Sequence, residues 1–222
     1  MTNTATFLTK VKFLFFVLTP FCAAAVLIAF FYGCERKPAV VKEQRPAVTL
    51  ENLQTAYNKE SNFVRMYTLF SAQAKKEKNP AMVALYEAIA KSEEIHANDH
   101  VALLKAQGIE MKPPSYDSVR VGTLMQTLKM ALSSEDIEVG SMYPNIIRTA
   151  DLEKFKEAQT QFENCRDADA RQEELLKAAE DRAGKLAKTT YFICTTCGYI
   201  LDSPKADVCP ICNTPKEKFE NM

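Results

Sequence analysis

The stretch Glu93-Glu94-Ile95-His96-Ala97 lies inside a longer run whose apolar residues recur at steps of three and four: Met82, Leu85, Ile89, then Glu93, His96, His100 and Leu103. That period is the signature of an amphipathic helix. Asn79-Pro80 supplies its start and Gly108 its stop. The informative feature is the chemistry on the stripe. A carboxylate and two imidazoles occupy positions where the pattern asks for Leu or Ile. Burying an unpaired carboxylate is very costly, so this helix needs partners that answer its charge.

Working outward, the segment from Leu50 to Lys188 reads as four helices with little strand character. The first carries Leu53, Ala56, Tyr57, Glu60, Phe63, Val64, Tyr67 and Phe70 on one face. The third carries Val121, Leu124, Leu128, Ala131, Glu135, Glu138 and Met142, and Pro144 is expected to bend its end. The fourth carries Phe155, Ala158, Phe162, Cys165, Asp169, Gln172 and Leu176. Glu60, Glu93, His96, Glu135, Glu138 and Asp169 therefore all fall on apolar faces near mid-helix. Taken alone, any one of these glutamates reads as a solvated helix residue. Taken together, with no Lys or Arg on the stripes, they call for cations. A dinuclear carboxylate centre in a four-helix bundle draws a Glu from each of two helices and a Glu-x-x-His turn from each of the other two. Glu93-x-x-His96 is one such turn, since residues three apart share a face. Glu60 supplies a single Glu, and Glu135-x-x-Glu138 forms a related turn. His100, one turn beyond His96, reads as a packed polar residue or a further ligand. Cys165 reads as a small core residue, Tyr57, Tyr67 and Tyr86 as core aromatics, and Lys75-Lys76-Glu77-Lys78 as solvated surface.

The last segment carries Cys194-Thr195-Thr196-Cys197-Gly198-Tyr199 and Cys209-Pro210-Ile211-Cys212. Two facing Cys-x-x-Cys knuckles make a tetrahedral four-thiolate site, which selects iron or zinc. Gly198 stands where a knuckle needs positive φ. So short a module cannot fold on apolar burial alone and depends on its metal. Tyr191 and Phe219 are expected to supply a small aromatic core. A zinc ribbon of this spacing would be purely structural. The Cys-Gly-Tyr and Cys-Pro-x-Cys context instead resembles rubredoxin, a one-iron electron carrier.

At the other end, Phe13 to Gly33 is charge-free and follows Lys10 and Lys12. At about 1.5 Å per helical residue it reaches roughly 30 Å, a hydrocarbon core. Residues 1–34 are read as a membrane anchor or as a lipoprotein-type signal peptide cut before Cys34. Residues 35–48, with Pro38 and Pro46, read as a linker. Arg36, Lys37, Lys42 and Arg45 outnumber the basic residues before the run, which would hold the C-terminal side in the cytoplasm, whereas cleavage would place it outside. The chain of 222 residues has 28 basic and 28 acidic side chains, and this balance argues against nucleic acid as a partner.

The four helices with these inward residues, followed by the cysteine tail, resemble rubrerythrin over about Leu50 to Met222. The strings that carry the likeness are Asn58-Lys59-Glu60-Ser61, Glu93-Glu94-Ile95-His96-Ala97, Glu135 to Met142-Tyr143-Pro144, and the knuckles. The resemblance implies an all-α, ferritin-like four-helix bundle (49–188) holding a diiron site. It also implies a rubredoxin-like domain (189–222), whose single iron, or zinc, is bound by Cys194, Cys197, Cys209 and Cys212. The activity it implies is reduction of hydrogen peroxide to water in a homodimer, with Glu60, Glu93, His96, Glu135, Glu138 and Asp169 as iron ligands. One turn departs from the family pattern: its Glu-x-x-His on the fourth helix is Asp169-x-x-Gln172 here. Three functions follow as expectations: a membrane-tethered peroxide reductase, an iron-binding or electron-transfer protein without turnover, and a zinc-ribbon scaffold.

Overall fold

The computed structural model describes residues 46–203 and 206–222, so the membrane or signal segment and nearly all of the linker expected before Val48 lie outside the described residues. Among the described residues no helix is long and apolar enough to cross a membrane. Helices α1 (Ala47–Lys76) and α2 (Pro80–Ala106) form an antiparallel pair. Asn79 caps α2 through Oδ1, which accepts from Met82 N at 3.1 Å, and Pro80 takes the first turn, where its missing N–H is harmless. A long connection then runs back beside α1. Asn62 fixes it by donating to Ser115 O and accepting from Asp117 N, both at 2.8 Å.

Helix α3 (Leu124–Ile137) opens on a capping box, with Thr123 and Gln126 each accepting from the other's backbone N–H. Val121 therefore stands ahead of the helix and is exposed rather than on its stripe. The expected single third helix is also interrupted. A π-helical turn, Glu138–Met142, follows α3, and α4 (Tyr143–Leu152) begins with Pro144 in its first turn. Pro144 thus starts a helix instead of bending the end of one. The last helix is α5 (Lys156–Asp181). Helices α3 and α4 pack along α5, and the stripes of all the helices meet in two apolar clusters, around Tyr67, Phe70, Leu85 and Leu176 and around Leu53, Leu104, Tyr143 and Phe162. Glu60, Glu93, His96, Asp169 and Gln172 lie within α1, α2 and α5, whereas Glu135 and Glu138 stand at the junction of α3 with the π turn rather than near mid-helix as expected.

Beyond α5 a small antiparallel sheet forms in the order β2–β1–β3, with β1 Phe192–Cys194, β2 Ile200–Leu201 and β3 Phe219–Asn221. Tyr191, Ile193 and Ile200 join the bundle's core. The module therefore docks on the helices through its apolar face. Tyr191 does not build a separate aromatic core with Phe219, which packs instead against the cysteines.

Candidate metal centres

The four cysteine sulfurs lie within 4.8 Å of one another. Cys194 Sγ and Cys212 Sγ are 3.5 Å apart, as are Cys197 Sγ and Cys209 Sγ. A disulfide would need about 2.05 Å, and all four are free thiols. A tetrahedral ion with metal–sulfur bonds of about 2.3 Å has sulfur–sulfur edges of about 3.8 Å, so the cage fits an iron or zinc ion without movement. Gly198 takes φ +75°, as the first knuckle requires, and Asn213 takes φ +58° after the second. The thiols cannot share the space as neutral groups on equal terms: hydrogen bonding from Cys197 and Cys209 holds Cys194 well below the usual thiol range, and the hydrogen bond to Cys194 pushes Cys209 up to about 11.

In the bundle, Glu60, Glu93, His96, Glu135, Glu138, Asp169 and Gln172 have no exposed surface at all. Two triads bring ligand atoms within 4.8 Å of one another: Glu60, Glu93 and His96, and Glu93, Glu138 and Asp169. Glu93 belongs to both, so it sits where one carboxylate faces two positions. His96 Nε2 is 3.1 Å from Cys197 O, and since a carbonyl only accepts, this nitrogen carries the proton. In the neutral ring Nδ1 then offers a lone pair, 3.3 Å from Glu93 Oε2 and 3.4 Å from Asp169 Oδ1. Of these three acceptors only Asp169 Oδ1 has a donor, Gln172 Nε2 at 3.0 Å, and His96 Nδ1 and Glu93 Oε2 have none. An imidazolium would answer one or two of these oxygens and leave the rest. Glu60 Oε2, Glu93 Oε2, Glu135 Oε2, both oxygens of Glu138 and Asp169 Oδ2 have no hydrogen-bond partner. Burial pushes Glu93, Glu135, Glu138 and Asp169 well above the usual carboxylate range, with each neighbouring carboxylate adding to the effect. Glu60 alone is held down, at about 2: burial works against this, and the facing His100 and Glu93 overcome it. This donor set fits a pair of multivalent cations, which would answer every orphaned oxygen at once.

The backbone explains how one segment delivers three of these groups. Glu135 near the end of α3 and Glu138 at the start of the π turn are three residues apart and share a face. At 3.6 residues per turn a residue five further on would lie about 140° away. The π turn adds a residue to the coil, and Tyr143 points inward beside them. Tyr143 donates its hydroxyl to Glu60 Oε1, and Tyr67 donates to Glu135 Oε1, both through short contacts. Lys59 Nζ stands at the rim, 3.9 Å from Glu138 Oε1, over the Phe63 ring. Helical spacing placed Tyr67 on an inward face but could not reveal its carboxylate partner, and Tyr143 and Lys59 gave no signal of their role. Gln172 Nε2 lies 2.6 Å from Glu93 Oε1, 3.0 Å from Asp169 Oδ1 and 3.2 Å from Ser92 Oγ. It is turned as a donor to the carboxylates.

The two centres touch. Besides the His96–Cys197 contact, Ser92 Oγ donates to Gly198 O at 2.7 Å. A Cβ on Gly198 would lie 2.5 Å from His96 Nε2 and 2.6 Å from Ser92 Oγ, so only glycine permits this approach.

A family model for rubrerythrin matches residues 51–180, and one for the rubrerythrin rubredoxin-like domain matches residues 192–220. Rubrerythrin of Porphyromonas gingivalis is 30% identical, over 85% of this chain and 96% of its own length. Rubrerythrin-2 of Clostridium acetobutylicum is 29% identical, over 78% and 96%. A solved structure of nigerythrin in a mixed-valence state superposes with TM-score 0.73 at 29% identity, covering 78% of this chain and 86% of that one.

Proposed function

The chain belongs to the rubrerythrin family, and from that premise we propose that it is a peroxide reductase, converting hydrogen peroxide, two electrons and two protons into two water molecules. Iron is the cofactor that this family and both donor sets support. Glu60, Glu93, His96, Glu135, Glu138 and Asp169 would hold two ions, and Cys194, Cys197, Cys209 and Cys212 one. When bound, the ions supply the electrons that break the oxygen–oxygen bond and the Lewis acidity that polarises it.

The chain's own groups do the rest. Tyr67 and Tyr143 hold Glu135 and Glu60 in position by hydrogen bonds. The donor carboxylates and His96 have no exposed surface, so bulk water is kept from them and each electrostatic contact within is strengthened. The observation that carries the reading is the His96 imidazole. One nitrogen faces the carboxylates and the other donates to the carbonyl of a knuckle cysteine. A single ring thus spans both centres and offers a short path for electrons from the four-cysteine site.

A second reading, iron binding or electron transfer without turnover, is favoured by one feature: Gln172 points a donor at the carboxylates where the family pattern has His. Iron per chain and peroxide consumption with an artificial reductant separate the two, for the natural chain and for Gln172→His. Three irons and peroxide consumption, raised severalfold by the substitution, are expected. Three irons with no consumption by either form would leave the electron-transfer reading. Zinc alone in the four-cysteine site, with an empty bundle, would leave the scaffold. The homodimer belongs to this proposal as well. So does a membrane tether through residues 13–33, checked by sedimentation of the full chain with membranes and its release when the chain begins at Arg45.

A further inference from the structure

One buried group in the bundle has no part in the reading above. His100 has no exposed surface and packs against Phe162, with ring centroids 5.6 Å apart and planes inclined by 51°. Its Nε2 lies 3.8 Å from Glu60 Oε1 and has no hydrogen-bond partner. On the far side of the ring, Nδ1 is 3.2 Å from Gln161 Nε2, while Gln161 Oε1 is buried with no partner of its own.

The two ends of an amide exchange by a half-turn that leaves its shape unchanged. With Gln161 Nε2 toward the ring, Nδ1 accepts, and Nε2 carries a proton too far from Glu60 to bond to it. Both that proton and Gln161 Oε1 are then stranded. With the amide turned, Oε1 accepts from Nδ1–H, and the amide NH2 takes the buried place where Oε1 had no partner, so either orientation leaves one end of Gln161 unpaired. On the ring, the turned form leaves a bare lone pair on Nε2, 3.8 Å from Oε1 of a carboxylate, that of Glu60, whose Oε2 has no partner either. A histidine that donates one ring N–H to a carbonyl and offers the other nitrogen is the arrangement of a metal ligand. The reach is adequate: two donors on one ion with bonds of about 2.1 Å stand up to about 4.2 Å apart, and 3.8 Å lies inside that limit.

We propose that His100 is a metal ligand at the Glu60 end of the bundle site, its ring held by Gln161, so that α2 supplies the second imidazole that α5 lacks at Gln172. The proposal rests on the reading that the bundle binds a metal pair. It changes the character of that pair: both imidazoles come from one helix, one turn apart, and the Asp169 side is held by oxygen donors alone.

The chain contains only two histidines, which makes the test clean. The full chain is grown with 15N-histidine, loaded with iron and reduced by one electron, and nitrogen couplings to the iron pair are read by pulsed electron paramagnetic resonance. A strong coupling present in the natural chain and missing from His100→Leu is expected, together with an at least tenfold weaker hold on one bundle iron. His100→Asn serves in the same comparison where leucine disturbs folding. Gln161→Leu should keep the coupling but weaken that iron severalfold. Couplings and iron affinity that are identical with and without His100 would overturn the proposal. A bundle that takes up no iron in the natural chain would instead overturn the metal-pair reading beneath it.

Discussion

The two metal centres are built on opposite logic. The four cysteines come from two short knuckles between Cys194 and Cys212, with three short strands and little apolar interior of their own. The bundle's donors come from α1, α2, α3, the π turn and α5, on helices that share a large core. In the first region the ion organises the chain. In the second the chain organises a site whose acceptors would repel one another without an ion. A metal therefore makes the small module fold, whereas in the bundle it relieves a strain that the apolar core is large enough to impose.

The sharpest way to break this comparison is to remove a thiolate. Cys209→Ser should abolish metal binding in the module, where structural sites hold ions with about 10 kcal/mol or more. Amide protection should vanish across Phe192–Asn221 while the helical signal of the bundle persists. Complete unfolding of the helices in the same transition would show that the regions are one cooperative unit.

Gly198→Ala tests the contact between them. The added methyl meets His96 and Ser92, and φ +75° is itself about 1–2 kcal/mol unfavourable for an L-residue. The module should keep its iron and its colour. Reduction of the bundle iron through it should slow at least tenfold, as measured by stopped-flow after reducing the four-cysteine site. An unchanged rate would mean that electrons do not pass by way of His96.

The repulsion in the bundle predicts a pH dependence. Glu93, Glu135, Glu138 and Asp169 hold protons in the folded metal-free chain well above the range in which the unfolded chain, with carboxyls near 4, releases them. The folded state thus binds more protons, so stability is fully present below about pH 4 and is lost as pH rises toward the folded values. The thermal midpoint of the metal-free chain should fall between pH 5 and pH 8, and iron, which displaces those protons, should remove the slope. Glu93→Gln deletes one titrating group. It should flatten the slope by up to about 1.4 kcal/mol per pH unit while lowering the iron content. Glu60 runs the other way, but its contribution is lost only as pH falls through about 2, outside this window. A metal-free midpoint that rises across pH 5 to 8 would contradict the buried-carboxylate account.

The smallest effect is expected at Ser92. Ser92→Ala removes its hydrogen bond to Gly198 O and an acceptor for Gln172, a loss of about 1 kcal/mol with iron content unchanged. Calorimetry of the iron-loaded chain resolves it.

The comparison also separates what was legible in the sequence from what was not. All four thiolates could be read from spacing, because a knuckle is a local object whose ligands are neighbours along the chain. The inward set Glu60, Glu93, His96, Glu135, Glu138 and Asp169 was legible as well, since helical period reports which face a residue takes, and a carboxylate on an apolar face declares its need. Period says nothing about what stands across the interface. Tyr143 on Glu60, Tyr67 on Glu135, Lys59 at the rim and the facing of His100 and Glu60 are meetings between helices. They depend on axial offset and rotation that packing alone sets. The π turn inside the expected third helix was not legible for a related reason: Met142 is the one position of the expected stripe beyond Glu138, too few to register a change of period. The docking of Gly198 on His96 and Ser92 was likewise decided only by the fold. A glycine announces freedom for its own backbone, and the side chains that fill the space where its Cβ would be are Ser92, 106 residues away, and His96 on the same helix.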